Sequence, residues 1–235
     1  MMWPGGDFPY GDRRIRPQFW EKAAFHVSFE KRIDRVVDWF THPLTPTNLV
    51  FMYFEEPDLH GHAYGIESQQ IRDQIVRLDR ALAYLLKKLS GRNLDSVINI
   101  FLLSDHGMVS ITEDRIIDLD KHLDKNLYVA ASTSPVLQIF PKAGAENDVW
   151  EGLKAAQNAS LMTFEVYKRE DIPKRWRYAG STRAPPILAV ANEGYAFQDV
   201  RETIASLDKR FHIPRESIRA CSYLTLRLQV ERGTL

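Results

Sequence analysis

The chain has 235 residues, 44% hydrophobic and 26% charged, which suits one or two globular domains with a sizeable core. Its 31 basic and 31 acidic residues cancel to a formal net charge of +0, which excludes the basic field that a nucleic-acid polymer would need. No apolar run reaches the ~18 residues that read as a membrane span, and the single cysteine, Cys221, excludes an intrachain disulfide and leans toward a reducing compartment.

Residues 1–20 are rich in Pro, Gly, Arg and aromatics and read as an irregular loop. Met1 to Asp7 lack the basic start and apolar run of a signal peptide. Phe29, Ile33, Val36, Val37 and Phe40 recur at helical spacing behind Ser28, a candidate N-cap, and His42-Pro43 stops that helix. Leu49 to Phe54 is a short apolar run that predicts a buried strand, broken at Pro57. The stripe Ile71, Ile75, Leu78, Leu82, Leu85, Leu86 and Leu89 predicts a long helix, with Leu78 and Leu82 buried and Arg77 and Lys88 outside. Ser90-Gly91-Arg92-Asn93 ends it, and Val97 to Leu103 predicts a second buried strand.

Strand, helix and strand make a βαβ unit, so the expected fold class is α/β, a mainly parallel sheet flanked by helices. Further strands are expected at 136–140, 164–167 and 187–191, and helices over 147–157 and 198–211. One glycosylation sequon occurs, Asn158-Ala159-Ser160.

Two clusters follow the two predicted strands, and ligands of open α/β sheets bind beyond the carboxyl ends of strands. The first is Asp58-Leu59-His60-Gly61-His62, in which Gly61 permits a tight bend. The second is Ser104-Asp105-His106-Gly107-Met108. Each alone also describes a polar loop or an Asx-type turn. Together they place two Asp/His pairs at the ends of strands joined by one helix. If the strands are neighbours, Asp58, His62, Asp105 and His106 converge as the ligands of a two-metal site, which can clamp the oxygens of a phosphoryl group. His26, His42, His122 and His212 read as structural or solvent-facing, and charge neutrality suits a small phosphate substrate.

On these motifs the chain resembles the ectonucleotide pyrophosphatase/phosphodiesterases of the alkaline phosphatase superfamily. Trp3-Pro4-Gly5, the helix start Phe29-Glu30-Lys31-Arg32, Glu56-Pro57-Asp58 with Gly61-His62, and Ser104-Asp105-His106-Gly107-Met108 all follow the family's wording. So do Val166-Tyr167-Lys168, Arg175-Trp176 and Glu193-Gly194-Tyr195. A phosphoglycerate mutase-like or sulfatase-like hydrolase would share the superfamily but lack the Glu-Pro-Asp-x-x-Gly-His wording.

The resemblance covers residues 1–200 and implies a partial phosphodiesterase catalytic domain there, with 201–235 a divergent C-terminal segment. It implies an alkaline-phosphatase-like fold truncated at both ends. It also implies two Zn2+ ions, one on Asp58 and His62 and the other on Asp105 and His106, with Trp3 and Tyr53 lining the substrate pocket. The implied substrates are small phosphodiesters or pyrophosphates, in nucleotides or choline phospholipids, cleaved through a threonine nucleophile. The implied location is extracellular or membrane-anchored. The family's nucleophile lies in a Thr-x-Pro-Asn-His element and a further zinc histidine in Gly-x-His-Gly-Tyr-Asp; these 235 residues contain neither. The position of the base-stacking tyrosine falls near Ala23, with Phe25 as a substitute. An inactive chain is therefore expected; the alternative is a non-catalytic binding or scaffold remnant of the same fold.

Overall fold

The computed structural model describes residues 5–9, 11, 14–21, 26–132, 134–211 and 220–224. The chain forms two compact units, one from the residues up to His60 together with Gln69–Leu102, the other from Gly61–Ser68 together with the residues from Leu103 on.

The first unit is built on two helices. Helix α1 (Phe29–Phe40) starts where expected: Ser28 is extended and its side chain accepts the Lys31 backbone N–H. Thr41 closes the helix, both its N–H and its hydroxyl donating to the Val37 carbonyl. Phe29, Ile33 and Val37 of α1 pack with Ala81, Leu85 and Leu89 of helix α3 (Gln69–Ser90) into one core cluster.

Here the expected stripe is corrected: Leu78 and Leu82 are only half-buried. The small side chain of Ala81, 2% exposed, occupies the centre of the contact, so the two leucines fall on its flanks. Reading only large apolar residues shifts the inferred face by part of a turn. Arg77 is exposed as expected, with its guanidinium 4.0 Å above the Phe29 ring. Lys88 is half-buried and pairs with Asp34 of α1 at 2.7 Å.

The expected strands at 49–54 and 97–103 form no multi-residue strand among the described residues: Met52 makes an isolated β-bridge, and Val97 lies in a turn whose N–H donates to the Leu94 carbonyl. A strand exists only as one side of a ladder, and apolar character alone cannot supply a partner. Met52, Phe54 and Ile98 still pack on the α1/α3 core. Phe51, Val97, Phe101 and Leu102 remain exposed.

In the second unit, β3 (Tyr128–Ala131), β4 (Val136–Pro141), β6 (Ile187–Ala191) and β5 (Phe164–Lys168) form an antiparallel sheet in that order. Helix α4 (Glu146–Ala159) belongs to the same core: Val149 and Leu153 pack with Leu137, Ile139, Phe164, Val166, Ile187 and Ala189. Alternation along β5 explains the choice, since Phe164 and Val166 are buried while Glu165 and Tyr167 are only partly so. Gln157 is wholly buried and satisfied, donating to the Phe164 carbonyl at 3.0 Å.

Two small ladders complete the unit. Strands β1 (Gly107–Ile111) and β8 (Ala220–Leu224) pair antiparallel; β2 (Ile116–Ile117) and β7 (Ala196–Phe197) pair parallel. Helix α5 (Val200–Phe211) follows, matching the expected helix within two residues at its start. The expected elements at 136–140, 147–157, 164–167 and 187–191 are all present. The expected α/β class holds, with the parallel pairing of the described strands lying at β2 and β7.

Candidate functional site

The segment that leads to the first Asp/His pair is anchored by one buried side chain. Arg32 of α1 is 4% exposed. Its Nη1 and Nη2 donate to the two carboxylate oxygens of Glu55 at 2.6 and 3.0 Å, and Nε donates to the Val27 carbonyl at 3.0 Å. Nη1 also donates to the carbonyl of Tyr53 at 3.4 Å. A bidentate fork of this kind fixes both distance and plane, so Tyr53 to Glu55 is pinned just before Asp58. Tyr53 itself is half-buried; Trp3, the other expected pocket residue, lies outside the described residues, as do Ala23 and Phe25.

The expected loop at 58–62 is a helix, α2 (Asp58–Tyr64). Pro57 opens it, and the Glu56 carboxylate receives the His60 backbone N–H at 3.2 Å, so an acid supplies the cap that a Ser or Asn would otherwise give. Gly61 is a buried helical residue here, not a bend. Asp58 and His62 are thus spaced four residues, about one helical turn, along α2. The Oδ1 oxygen of Asp58 is shielded from solvent.

Sequence reasoning missed the partners of His60. Its Nδ1 lies 2.7 Å from Oε1 of Glu56, and its Nε2 lies 3.3 Å from Nε2 of Gln74. Both ring nitrogens are thus engaged, with Nδ1–H donating to the carboxylate and Nε2 accepting from the amide. Burial pushes the Glu56 carboxyl above its ordinary value, against the opposing pull of His60. The signal was present in the sequence: an acid four residues before a histidine, at a helix start.

The second pair enters β1. Asp105 is exposed and His106 half-buried, and His106 Nε2 lies 3.6 Å from Asp105 Oδ1. Ser104 Oγ donates to the His106 carbonyl at 2.7 Å, closing the turn. The His106 Nδ1 contact with the Gly107 carbonyl, 3.1 Å, puts the proton on Nδ1 and the lone pair on Nε2. A metal-ligating histidine is commonly oriented through its other ring nitrogen in this way. Gly107, which the sequence suggests would help the chain turn, instead starts the β1 ladder with Met108, because β8 supplies a partner for them.

The donors suit zinc in type: one carboxylate and one imidazole in each pair. Among the described residues, no three His, Cys, Asp or Glu are grouped to hold an ion. Of the other histidines, His42 Nδ1 faces the Thr45 backbone N–H at 3.2 Å, and His122 follows a short 3-10 turn in solvent.

Comparison with known proteins sets these residues in a family. The model of the type I phosphodiesterase / nucleotide pyrophosphatase family matches residues 1–210. Human ectonucleotide pyrophosphatase/phosphodiesterase family member 5 is 39% identical over 194 residues, which are 83% of this chain and 39% of that protein. Human bis(5'-adenosyl)-triphosphatase is 35% identical over 195 residues, 83% of this chain and 42% of that protein. The chain therefore spans about two-fifths of the length of these curated relatives. Among solved structures, murine ectonucleotide pyrophosphatase/phosphodiesterase 5 superposes with a TM-score of 0.75 at 39% identity, over 83% of this chain and 51% of that one. An inactive threonine-to-alanine variant of the murine protein, in complex with AMP, gives 0.78 at 35% identity over 94% and 54%. The α/β fold is that of these structures, and the chain belongs to the type I phosphodiesterase / nucleotide pyrophosphatase family.

Proposed function

We propose that these residues carry the zinc-ligand pairs of a phosphodiesterase or nucleotide pyrophosphatase catalytic domain, acting on small phosphodiester or pyrophosphate substrates outside the cell or at its surface. The observation that supports this most is α2, which sets Asp58 and His62 one turn apart inside the Glu56-Pro57-Asp58-x-x-Gly61-His62 motif. Asp58 and His62 would hold one zinc, and Asp105 and His106 the other. Zinc in such a site acts as a Lewis acid, neutralising charge on the phosphoryl oxygens.

The protein's own residues do the positioning. Arg32 and Glu55 fix the approach to α2. Glu56 and Gln74 occupy both nitrogens of His60 and so keep it out of the ligand set. The Gly107 carbonyl turns the His106 lone pair outward through Nε2. Tyr53 is the residue we assign to the substrate wall, with Trp3. A nucleotide substrate is favoured over a choline phospholipid because the relatives are named for bis(5'-adenosyl)-triphosphatase activity and for a complex with AMP. Their "ecto" names support the extracellular placement.

The 235 residues alone should not turn over substrate. The family's Thr-x-Pro-Asn-His element is not among them, and a relative in which one threonine is replaced is described as inactive. Losing a covalent nucleophile leaves only the small part of the rate enhancement that comes from binding and electrostatics. The assay is hydrolysis of the p-nitrophenyl ester of thymidine 5'-phosphate with excess zinc. No release of nitrophenol is expected. Turnover by the wild-type chain that both His62→Ala and Asp105→Ala abolish would show that another residue of the chain is the nucleophile. A scaffold remnant is the second reading, favoured by the lack of any three-donor group among the described residues.

A further inference from the structure

We propose that Asn158 is an acceptor for an N-linked glycan. The inference rests on the extracellular placement proposed above. The chain has seven asparagines, Asn48, Asn93, Asn99, Asn126, Asn147, Asn158 and Asn192. Only Asn158 is followed two residues later by Ser or Thr with a non-proline between, in Asn158-Ala159-Ser160.

The structure puts this triplet where a large sugar costs the fold nothing. Asn158 lies in the last turn of α4, on the exposed stripe that also carries Asp148, Glu151 and Ala155. The buried stripe, Val149, Leu153, Ala156 and Gln157, is on the opposite side. Among the described residues the Asn158 carboxamide makes no hydrogen bond, whereas the buried Gln157 amide beside it is fully committed to Phe164 and Glu165. Substituting the Asn158 amide therefore breaks no structural contact.

The surroundings give the sugar something to cover. Helix α4 ends at Ser160, and Leu161 and Met162 follow with φ of 53° and 61°. Leu161 is 89% exposed and Met162 45% exposed. Left-handed backbone at two consecutive non-glycine residues holds this apolar corner outward, next to Asn158. The apolar face of the first sugar residues can shield it from water.

The modification is a group transfer from a lipid-diphosphate-linked oligosaccharide of the secretory pathway. The Asn158 Nδ2 attacks the anomeric carbon, a C–N bond forms, and the bond to the diphosphate oxygen breaks. The amide proton leaves to a base and the lipid diphosphate departs with the electron pair. Ser160 completes the sequon as the transferase reads it on the unfolded chain. Its folded-state hydrogen bond to the Gln157 carbonyl, 3.1 Å, forms later.

The test sends the chain into the secretory pathway of an animal cell behind a cleavable signal, so that the outcome reports on Asn158 and not on its native destination. Peptide-N-glycosidase treatment in 18O water should collapse one higher gel band and leave an 18O-labelled aspartate at position 158. Asn158→Gln and Ser160→Ala should run at the deglycosylated position. Ser160→Thr should keep the higher band, which excludes misfolding as the cause of the loss. An unshifted wild-type chain, or a shift retained by Asn158→Gln, would overturn the proposal. Zinc titration of the same secreted samples reads the phosphodiesterase assignment separately.

Discussion

Replacing Arg32 by Met probes the contact that pins the approach to α2. The guanidinium side chain is 5% exposed and Glu55 is 12% exposed, so the ion pair is nearly dry. Removing the cation leaves the Glu55 carboxylate buried without its two shortest donors, which typically costs ~3–5 kcal/mol. The carbonyls of Val27 and Tyr53 also lose a donor each, adding about 1 kcal/mol apiece. Replacing both partners, Arg32→Met with Glu55→Leu, removes both buried charges, and such a swap is often close to neutral. The double variant should therefore be more stable than Arg32→Met alone, with a coupling energy of at least about 2 kcal/mol. Urea melts suffice, followed by fluorescence of Trp39, which is 5% exposed in the same unit. A single-variant loss below about 1 kcal/mol, or double-variant losses that simply add, would refute the buried-pair argument.

The remaining expectations follow from packing and titration. Leu89→Ala, at a site 2% exposed, should cost ~2–5 kcal/mol in urea melts, whereas Leu82→Ala, on the flank of the same contact, should cost clearly less. Burial, with a smaller contribution from Asp120, holds the Tyr128 phenol above its ordinary value of 10.0. The folded state then keeps a proton that the unfolded state releases, so stability is lost as pH rises above about 10. Tyr128→Phe should remove that loss, and its thermal midpoint should gain on the wild type only in the alkaline range; parallel curves there would contradict the assignment.

What the sequence made legible, and what it did not, divides by the range of the interaction. Helix α1 was readable from Ser28 and the Phe29–Phe40 stripe because capping and periodicity are local. The strands β4, β5 and β6 were readable because their apolar runs found ladder partners in one sheet. Segments 49–54 and 97–103 are as apolar but form no strand in a sheet among the described residues, only an isolated bridge at Met52, so composition overstated them. At the site, the residue types and spacing of both Asp/His pairs were visible in the motifs. The form of the first was not, because Gly61 reads as a bend unless the local Glu56–His60 pair is recognised as the cap of α2. Arg32 could be quoted as part of a family motif, but its role needed Glu55 and Tyr53, more than twenty residues away, to become apparent.

The assignment of the two Asp/His pairs as zinc ligands is tested most directly by titrating the chain with zinc. Isothermal calorimetry on the wild type, His62→Ala, Asp105→Ala and the control His42→Ala is the measurement. With two donors per pair, affinity should fall short of a three-ligand catalytic zinc site. The wild type and His42→Ala should give the same saturable binding, while His62→Ala and Asp105→Ala should each lose part of it. Identical isotherms for all four proteins would contradict the account.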